Sequence, residues 1–294
     1  MLFSSLILLN SFLKKSSPGA KSQFFQFLSP QTLQSLEKTY IPKKDIDLKN
    51  FTLNALTEDI HYSWFIPIFQ SYSKKEQSLF LEILDEQRKE KLAKILKRKK
   101  EEKTLSLFAQ DFFKEELFKQ VVQKEDLLPR DYLPDSPLNI LLYLSKHEIT
   151  KLIDFLSLYD LALTMPKIVQ TTVLKKVYSY LSEEKLKFLK SKSSYKEPFS
   201  FPRLKIENAL EDRATFNLFL HKRGLNRFAK ALDLENKSFL WHLCHKLDIG
   251  RGKTIENLLK EEIKIQKKVT ETITSNIIDV LSIIRKKTKK EALS

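Results

Sequence analysis

The sequence has very little glycine and almost no cysteine, and each shortage narrows the fold. Only four of its 294 residues are glycine, whereas sheet-based α/β enzymes use glycines where strands run into phosphate-binding or catalytic loops. A helix-rich fold needs few such turns. The single cysteine, Cys244, excludes an intrachain disulfide and is typical of a reducing compartment. These shortages favour an all-α cytosolic protein.

The charge is large and of one sign, but it is not concentrated. Lysine and arginine together number 52 against 37 acidic residues, which leaves a formal net charge of +15. The basic residues alternate with acidic ones along most of the chain, so we expect weak attraction to any polyanion, including anionic membranes, acidic protein surfaces and nucleic acid. Apolar residues make up 42% and charged residues 30%, the balance of a soluble globular protein.

Long hydrophobic runs are also missing. The apolar stretch 1–13 is shorter than the roughly 20 residues that a membrane span needs. Lys14 and Lys15 follow this stretch instead of preceding it, the reverse of a secretory signal. We expect an amphipathic helix here that docks on the protein itself, on a partner or on a membrane surface.

Prolines and helical periodicity divide the chain. Prolines at 129, 134 and 137 interrupt a connection and predict the main boundary there. The predicted regions are an N-terminal helical region 1–128, a middle helical unit 138–190, a C-terminal helical domain 203–286 and a basic tail 287–294. No fixed repeat period is present, so the pattern predicts irregular stacked, armadillo-like helical units and not a regular solenoid.

One segment resembles the end of a phosphate-binding loop. Gly250-Arg-Gly-Lys-Thr254 matches the last residues of that motif, but Leu247 stands where its first glycine is required and no hydrophobic strand precedes it. The sequence therefore predicts no nucleotide site. We interpret the segment as a turn between two helices, with Gly250 ending the first.

No other constellation predicts chemistry. His242, Cys244 and His245 are metal-ligand types, but they point in different directions on a helix, so no metal site is predicted. We expect Leu240, Trp241 and Cys244 in the core and the two histidines at its edge. No nucleophile motif is present. The sequence therefore predicts that the protein is not an enzyme and that it has no catalytic residue, cofactor or small-molecule substrate.

Two strings in the last third of the chain carry a family resemblance. Glu-Asp-Arg-Ala-Thr-Phe-Asn-Leu-Phe-Leu (211–220) and Leu-Asn-Arg-Phe-Ala-Lys-Ala-Leu (225–232), followed by Phe239-Leu-Trp-His-Leu243, resemble the C-terminal domain of the flagellar switch protein FliG. Ile60-His-Tyr-Ser-Trp-Phe-Ile-Pro67 is similar to what the SctK adaptors of type III secretion sorting platforms carry. The resemblance covers about a quarter of the chain and implies a FliG-like C-terminal helical domain.

A departure from the family pattern redirects the expected function. FliG has an acidic cluster facing the stator, whereas this sequence has basic residues in that stretch. The resemblance therefore implies a type III secretion adaptor without motor torque. It would lie in the cytoplasm, peripheral to the inner face of the bacterial inner membrane, and link basal-body ring proteins to platform proteins. The candidate partner-binding residues are Lys222, Arg223, Arg227, Phe239, Leu240 and Trp241.

A second function class stays open on charge alone. A basic helical protein that binds nucleic acid or regulates another protein would explain the net charge and the lysine-rich runs at 97–103 and 285–290. A compact basic face would favour it, whereas exposed apolar helices would favour the adaptor.

Overall fold

The computed structural model describes residues 3–40, 42, 57, 59–98, 105–122, 126–197, 206–261 and 267–291. Every regular element in these ranges is a helix, so the all-α prediction is confirmed. The lysine-rich run at 97–103 lies mostly outside the described residues, as do the side chains of the basic tail.

Seven α-helices precede the proline-rich connection. They are α1 (Phe3–Lys15), α2 (Pro18–Phe25), α3 (Pro30–Lys38), α4 (Ile66–Ser71), α5 (Lys74–Glu82), α6 (Glu86–Ile95) and α7 (Leu107–Val122) among the described residues. Two 3-10 helices accompany them, Tyr62–Trp64 and Arg130–Tyr132.

Seven more α-helices follow within the described ranges. They are α8 (Lys146–Thr164), α9 (Thr171–Tyr180), α10 (Glu183–Ser191), α11 (Arg213–Leu232), α12 (Lys237–Lys246), α13 (Ile249–Lys260) and α14 (Lys267–Glu291). Short 3-10 helices lie at Pro137–Tyr143, Met165–Lys167 and Ile206–Ala209.

The chain forms two compact units. The first comprises Met1–Ser136 together with Asn236–Ile249, and the second comprises Pro137–Glu235 with Gly250–Ser294. The division falls at Pro137, within the predicted proline-rich boundary. Residues 236–249, which the sequence assigned to the C-terminal domain 203–286, are grouped with the first unit. The predicted boundaries, which mark segments expected to fold independently, stay a prediction.

Polar caps explain where several helices begin. Ser73 and Ser145 each form a capping box, in which the hydroxyl accepts from the third helical amide while Glu76 or Glu148 accepts from the serine amide. Ser182 caps α10 through its hydroxyl. The sequence predicts that Ser73 caps a helix and that Ser145, Ser157 and Ser182 lie at or near helix ends. Ser73, Ser145 and Ser182 do so, whereas Ser157 lies buried inside α8.

The core of the first unit is aromatic. Phe65, Phe69, Phe80 and Phe118 are buried in one cluster that α4, α5, α6 and α7 enclose. Phe80 makes edge-to-face contacts with Phe69 at 6.2 Å and with Phe113 at 5.3 Å between ring centroids. Such pairs add packing energy and fix ring orientation.

The second unit is built around α8. This helix is buried along most of its length and packs against α10, α11 and α14. The apolar pattern of the sequence predicts a shorter helix, 149–158, and does not show that Asp160, beyond its end, is buried within the same helix. Asp154 and Asp160 both have basic partners within the unit.

The segment Gly250-Arg-Gly-Lys-Thr254 does not form a turn. It lies within α13, and neither glycine has a positive φ, so the predicted helix end at Gly250 was wrong. The preceding helix, α12, ends at Lys246 with a non-glycine cap, Leu247 in extended conformation. Glycine readily adopts helical dihedrals as well as left-handed ones, so its presence alone does not specify a turn.

Within the part of the chain that the structure describes, none of the helices combines the length and the apolar content that crossing a lipid bilayer would require.

Candidate partner-binding site

The three basic candidates share one helix but differ in exposure. Asp212 caps α11, its carboxylate accepting from the amides of Ala214 at 2.6 Å and Thr215 at 2.9 Å. Along this helix the Lys222 side chain is exposed and Arg223 is partly buried. Arg227 is only 1% exposed. Of the three, Lys222 is therefore the one that a partner could reach directly.

Arg227 lies at the centre of a buried ionic cluster in the second unit. Its Nη1 is 2.5 Å from Asp160 Oδ1, and its Nη2 pairs with Glu197. Arg223 pairs with the other oxygen of Asp160. Burial opposes the charge of Arg227, but the Asp160 and Glu197 carboxylates outweigh it and raise the pKa of Arg227. The guanidinium is therefore charged and committed to internal carboxylates.

Tyrosines extend this cluster towards α14. The guanidinium of Arg227 lies 5.4 Å from the centroid of the Tyr159 ring, and the Tyr159 hydroxyl donates to Asp279 Oδ2 at 2.5 Å. Asn276 Nδ2 donates to the Tyr195 hydroxyl at 3.0 Å, and this hydroxyl donates to Glu197 Oε1 at 3.0 Å. Burial raises the pKa of Tyr195 to about 12 and also raises the pKa of Tyr159. Both phenols are thus neutral and act as hydrogen-bonding groups near neutral pH.

A second polar contact and a glycine bring α8 and α11 close together. Asp154 lies 2.7 Å from His221 Nδ1 and accepts from Lys185 Nζ at 3.2 Å. Burial opposes ionisation of Asp154, but these partners prevail and lower its pKa. At Gly224, an added Cβ would lie 2.0 Å from the backbone oxygen of Ile153. Only glycine fits this crossing without a shift of the backbone.

The three apolar candidates lie on α12, in the first unit. Phe239 is buried, whereas Leu240 and Trp241 are half-buried. Trp241 also packs against the aromatic cluster of the first unit. Phe239 therefore contributes to the core, and Leu240 and Trp241 present only part of their surface.

Two histidines of α12 are buried, which the sequence did not predict. The ring of His245 lies between Trp64, at 3.9 Å, and Trp241, at 4.2 Å between centroids, and both pairs are stacked. His242 Nε2 donates to the carbonyl of Leu128 at 2.8 Å. Burial lowers the pKa of each histidine to about 4. The predicted place at the edge of the core was wrong because a neutral imidazole with one hydrogen bond packs like an aromatic ring.

Hydrogen bonds over long sequence distances hold α12 in the first unit. The His61 amide donates to the carbonyl of His245 at 2.8 Å, and Trp64 Nε1 donates to the carbonyl of Leu247 at 2.9 Å. The Ile249 amide donates to Ser63 Oγ at 2.8 Å. The SctK-like segment 60–67 and the last of the FliG-like segments, 239–243, thus lie together in the first unit.

The structure adds apolar residues that sequence reasoning missed. Leu107, Phe108 and Phe112 are exposed at the start of α7, with Phe108 82% exposed. The apolar residues between Leu105 and Val122 predict a helix with a broad apolar face and phenylalanines in the core. Phe118 is buried as predicted. The apolar face of α7 is so broad that one side can be buried while another stays in solvent. The breadth of this apolar face was the feature of the sequence that could have indicated exposed apolar residues.

The exposed face of α7 also carries acidic groups. Asp111 and Glu115 are exposed and occur at helical spacing from Phe108 and Phe112. Glu115 pairs with Lys119 at 2.9 Å. We call Leu107, Phe108, Asp111, Phe112 and Glu115 the α7 face.

No clustered metal-ligand set was found in the described ranges: no three His, Cys, Asp or Glu side chains lie together in a way that could hold an ion. The chain matches no model of a known protein family, and neither the curated proteins nor the solved structures compared with it contain a match. Its function is therefore inferred from its own residues and contacts.

Proposed function

We propose that this chain is a non-catalytic scaffold or adaptor of a bacterial type III secretion basal body, linking inner-membrane ring proteins to cytosolic platform proteins. The proposal includes a FliG-like arrangement of the C-terminal helices, irregular stacking of the helical units and a cytoplasmic position against the inner membrane. It combines the FliG-like and SctK-like residues of the sequence with the exposed apolar side chains of the structure.

The observation that carries the proposal is the α7 face. Large apolar side chains at 107, 108 and 112 are exposed on one helix, and Phe112 contacts Phe113 edge-to-face at 5.6 Å between centroids. Because Phe113 packs into the aromatic core, the exposed ring rests on a rigid support. Apolar side chains held in this way on a surface are typical of protein-binding sites.

Two of the original candidates take a different role in this proposal. Arg227 and Phe239 are buried, so they shape the units and do not contact a partner directly. Lys222 stays a candidate for pairing with an acidic partner, where it would affect orientation and association rate more than affinity. Leu240 and Trp241 stay candidates at the edge of the first unit.

The nucleic-acid alternative loses part of its support. One basic surface made of Lys97 to Lys100, Lys222, Arg223 and the C-terminal tail would favour it, but Arg223 is engaged with the buried Asp160. The contacts of the described residues favour a protein-binding role over phosphate binding.

The test is affinity purification of the tagged full-length protein from its own cells at moderate salt, with mass spectrometry. We expect wild type to recover ring and platform proteins of a secretion apparatus. The double variant Phe108→Ser/Phe112→Ser should lose most of them because it removes the exposed rings and keeps the buried ones. Lys222→Glu should weaken recovery less.

A matched control removes exposed apolar side chains elsewhere. Val169 and Leu218 are exposed in the second unit, and Val169→Ser/Leu218→Ser should recover the same partners as wild type. Recovery of nucleic acid that disappears as salt rises would replace the adaptor proposal with the nucleic-acid alternative. Equal recovery by wild type and the α7 double variant would show that the α7 face is not the docking site.

A further inference from the structure

The first three helices differ in charge from the rest of the chain. Residues 1–36 contain three lysines, Lys14, Lys15 and Lys21, and no aspartate or glutamate; the first acidic residue is Glu37. Elsewhere the sequence mixes both signs. We call residues 3–38 the N-terminal hairpin; all of its charged residues before Glu37 are lysines.

A small core of its own orders the N-terminal hairpin. Leu6, Leu13 and Leu36 are buried together, which packs α1 against α3. Asn10 Nδ2 donates to the carbonyl of Leu36 at 3.1 Å and to that of Thr39 at 3.2 Å. These contacts hold α1 and α3 together. The helix α2, which lies between them in sequence, takes no part in these contacts.

The short helix α2 buries none of its own side chains. Phe24, Phe25 and Phe27, at its end and in the following turn, are all exposed, and Phe27 is 85% exposed. The turn is nevertheless defined, since the Phe27 amide donates to the Phe24 carbonyl at 3.1 Å and Ser29 caps α3. Phe27 is thus held in solvent, and Phe24 and Phe25 expose 36% and 39% of their surface within three residues of it.

We propose that the N-terminal hairpin binds an anionic lipid surface, with Phe24, Phe25 and Phe27 entering the headgroup region and Lys14 and Lys21 contacting lipid phosphates. This inference deepens the proposed function by naming its membrane contact, and it rests on that function only for the cellular setting. Apolar rings combined with nearby lysines are the composition of elements that lie in a membrane interface.

Charge distinguishes this surface from the α7 face. The α7 face carries Asp111 and Glu115 beside its phenylalanines, and carboxylates are repelled by anionic lipids. The N-terminal hairpin has no carboxylate before Glu37. Phenylalanine also lacks a hydrogen-bonding group, so these rings gain from an apolar environment without requiring a specific polar partner. A lipid surface therefore fits the hairpin, and a protein fits the α7 face.

The test is vesicle flotation of the purified full-length protein. The probes are phosphatidylcholine vesicles with and without phosphatidylglycerol. We expect binding to the anionic vesicles to be about tenfold or more stronger than to neutral ones, and to weaken as salt rises. The variant Phe24→Ser/Phe25→Ser/Phe27→Ser should lose about tenfold or more in affinity for anionic vesicles, because it removes the inserted apolar area.

Two further variants separate the contributions. Lys14→Glu/Lys21→Glu should lose about tenfold or more on anionic vesicles and little on neutral ones. The matched control Phe108→Ser/Phe112→Ser removes exposed rings from the α7 face and should bind vesicles like wild type. Helical circular dichroism on each variant checks that the fold is kept.

The outcomes separate this inference from the proposed function. Wild type that fails to bind anionic vesicles, or a triple phenylalanine variant that binds like wild type, would overturn it. If the hairpin variants bound vesicles normally but lost secretion proteins in the affinity purification, the hairpin would be a protein-docking element. Intact vesicle binding with no secretion proteins recovered would instead overturn the adaptor proposal alone.

Discussion

The interiors of the two units are built from different kinds of side chain. The first has an aromatic cluster with two buried, neutral histidines, whereas the second encloses the charged residues Arg227, Asp160 and Glu197. Buried ion pairs stabilise little compared with apolar residues of the same shape, but breaking one leaves an uncompensated charge. We therefore expect the stability of the second unit to be more sensitive to removal of one side chain, and that of the first unit to be more sensitive to acid.

The largest effect is expected at the centre of the second unit. Arg227→Met leaves the Asp160 and Glu197 carboxylates without their shared partner and should reduce the free energy of unfolding by about 3–5 kcal/mol. Urea denaturation followed by circular dichroism measures this loss. Lys222→Met, five residues away on the same helix and exposed, should change it by less than about 0.5 kcal/mol. Similar losses in both variants would contradict the central role of the cluster.

Acid should act mainly on the first unit. The folded protein holds the pKa of His242 and His245 at about 4, below the value of about 6.5 in an unfolded chain. The unfolded chain therefore binds more protons below pH 6.5, and stability is full above that pH and falls as pH falls towards 4. Between pH 7 and pH 5 we expect a loss of roughly 2–4 kcal/mol.

Tryptophan fluorescence reports this transition selectively, because both tryptophans, Trp64 and Trp241, lie in the first unit. His245→Gln should reduce the dependence of stability on pH, whatever its effect on stability itself. His147→Gln, at an exposed histidine of the second unit, should leave that dependence unchanged. A stability that does not vary between pH 7 and pH 5 would show that these histidines are not kept neutral by burial.

Glycine offers a paired test with opposite signs. Gly224→Ala places a Cβ against the Ile153 carbonyl and should destabilise the second unit by about 1–3 kcal/mol. Gly19→Ala, in α2 of the first unit, meets nothing within 4 Å and should stabilise its helix by a few tenths of a kcal/mol to about 1 kcal/mol. Thermal melts of both variants check the signs. A Gly224→Ala variant as stable as wild type would mean that α8 and α11 separate easily.

The smallest effects should be equal in the two units. Ser73→Ala and Ser145→Ala each remove the hydroxyl of a capping box and should cost about 1 kcal/mol apiece. A cap is a local device, so the chemistry of the surrounding core should not alter its value. Denaturant titrations of both variants test this, and a twofold difference between them would show that one cap is coupled to its core.

Local features of the fold were accessible from the sequence, and long-range ones were not. The serines at 73, 145 and 182 marked helix starts because capping acts within three residues. The burial of Arg227 could not be predicted, since its partners Asp160 and Glu197 lie 67 and 30 residues away. A basic residue without visible partners is predicted to lie on the surface.

The candidate site shows the same limit. Periodicity predicted apolar residues on α7 correctly but could not show which of them a neighbouring helix would cover, so Phe108 and Phe112 were assigned to the core with Phe118. The burial of His245 likewise depends on Trp64, which stacks on it from 181 positions earlier in the sequence. The apolar periodicity of a helix was predictable from the sequence. The exposure of each side chain was not, because it depends on the partners that folding brings together.

The interrupted order of the first unit has a consequence during synthesis. Its N-terminal part ends at Ser136, but Trp64, Ser63 and Leu128 each form a hydrogen bond with residues 236–249. A ribosome adds about 5–20 residues per second, so the 113 positions between 136 and 249 take about 6–23 seconds to translate. During that interval the nascent first unit lacks α12 and exposes the aromatic surface that Trp241 covers, so we expect it to depend on chaperones until residue 249 has emerged.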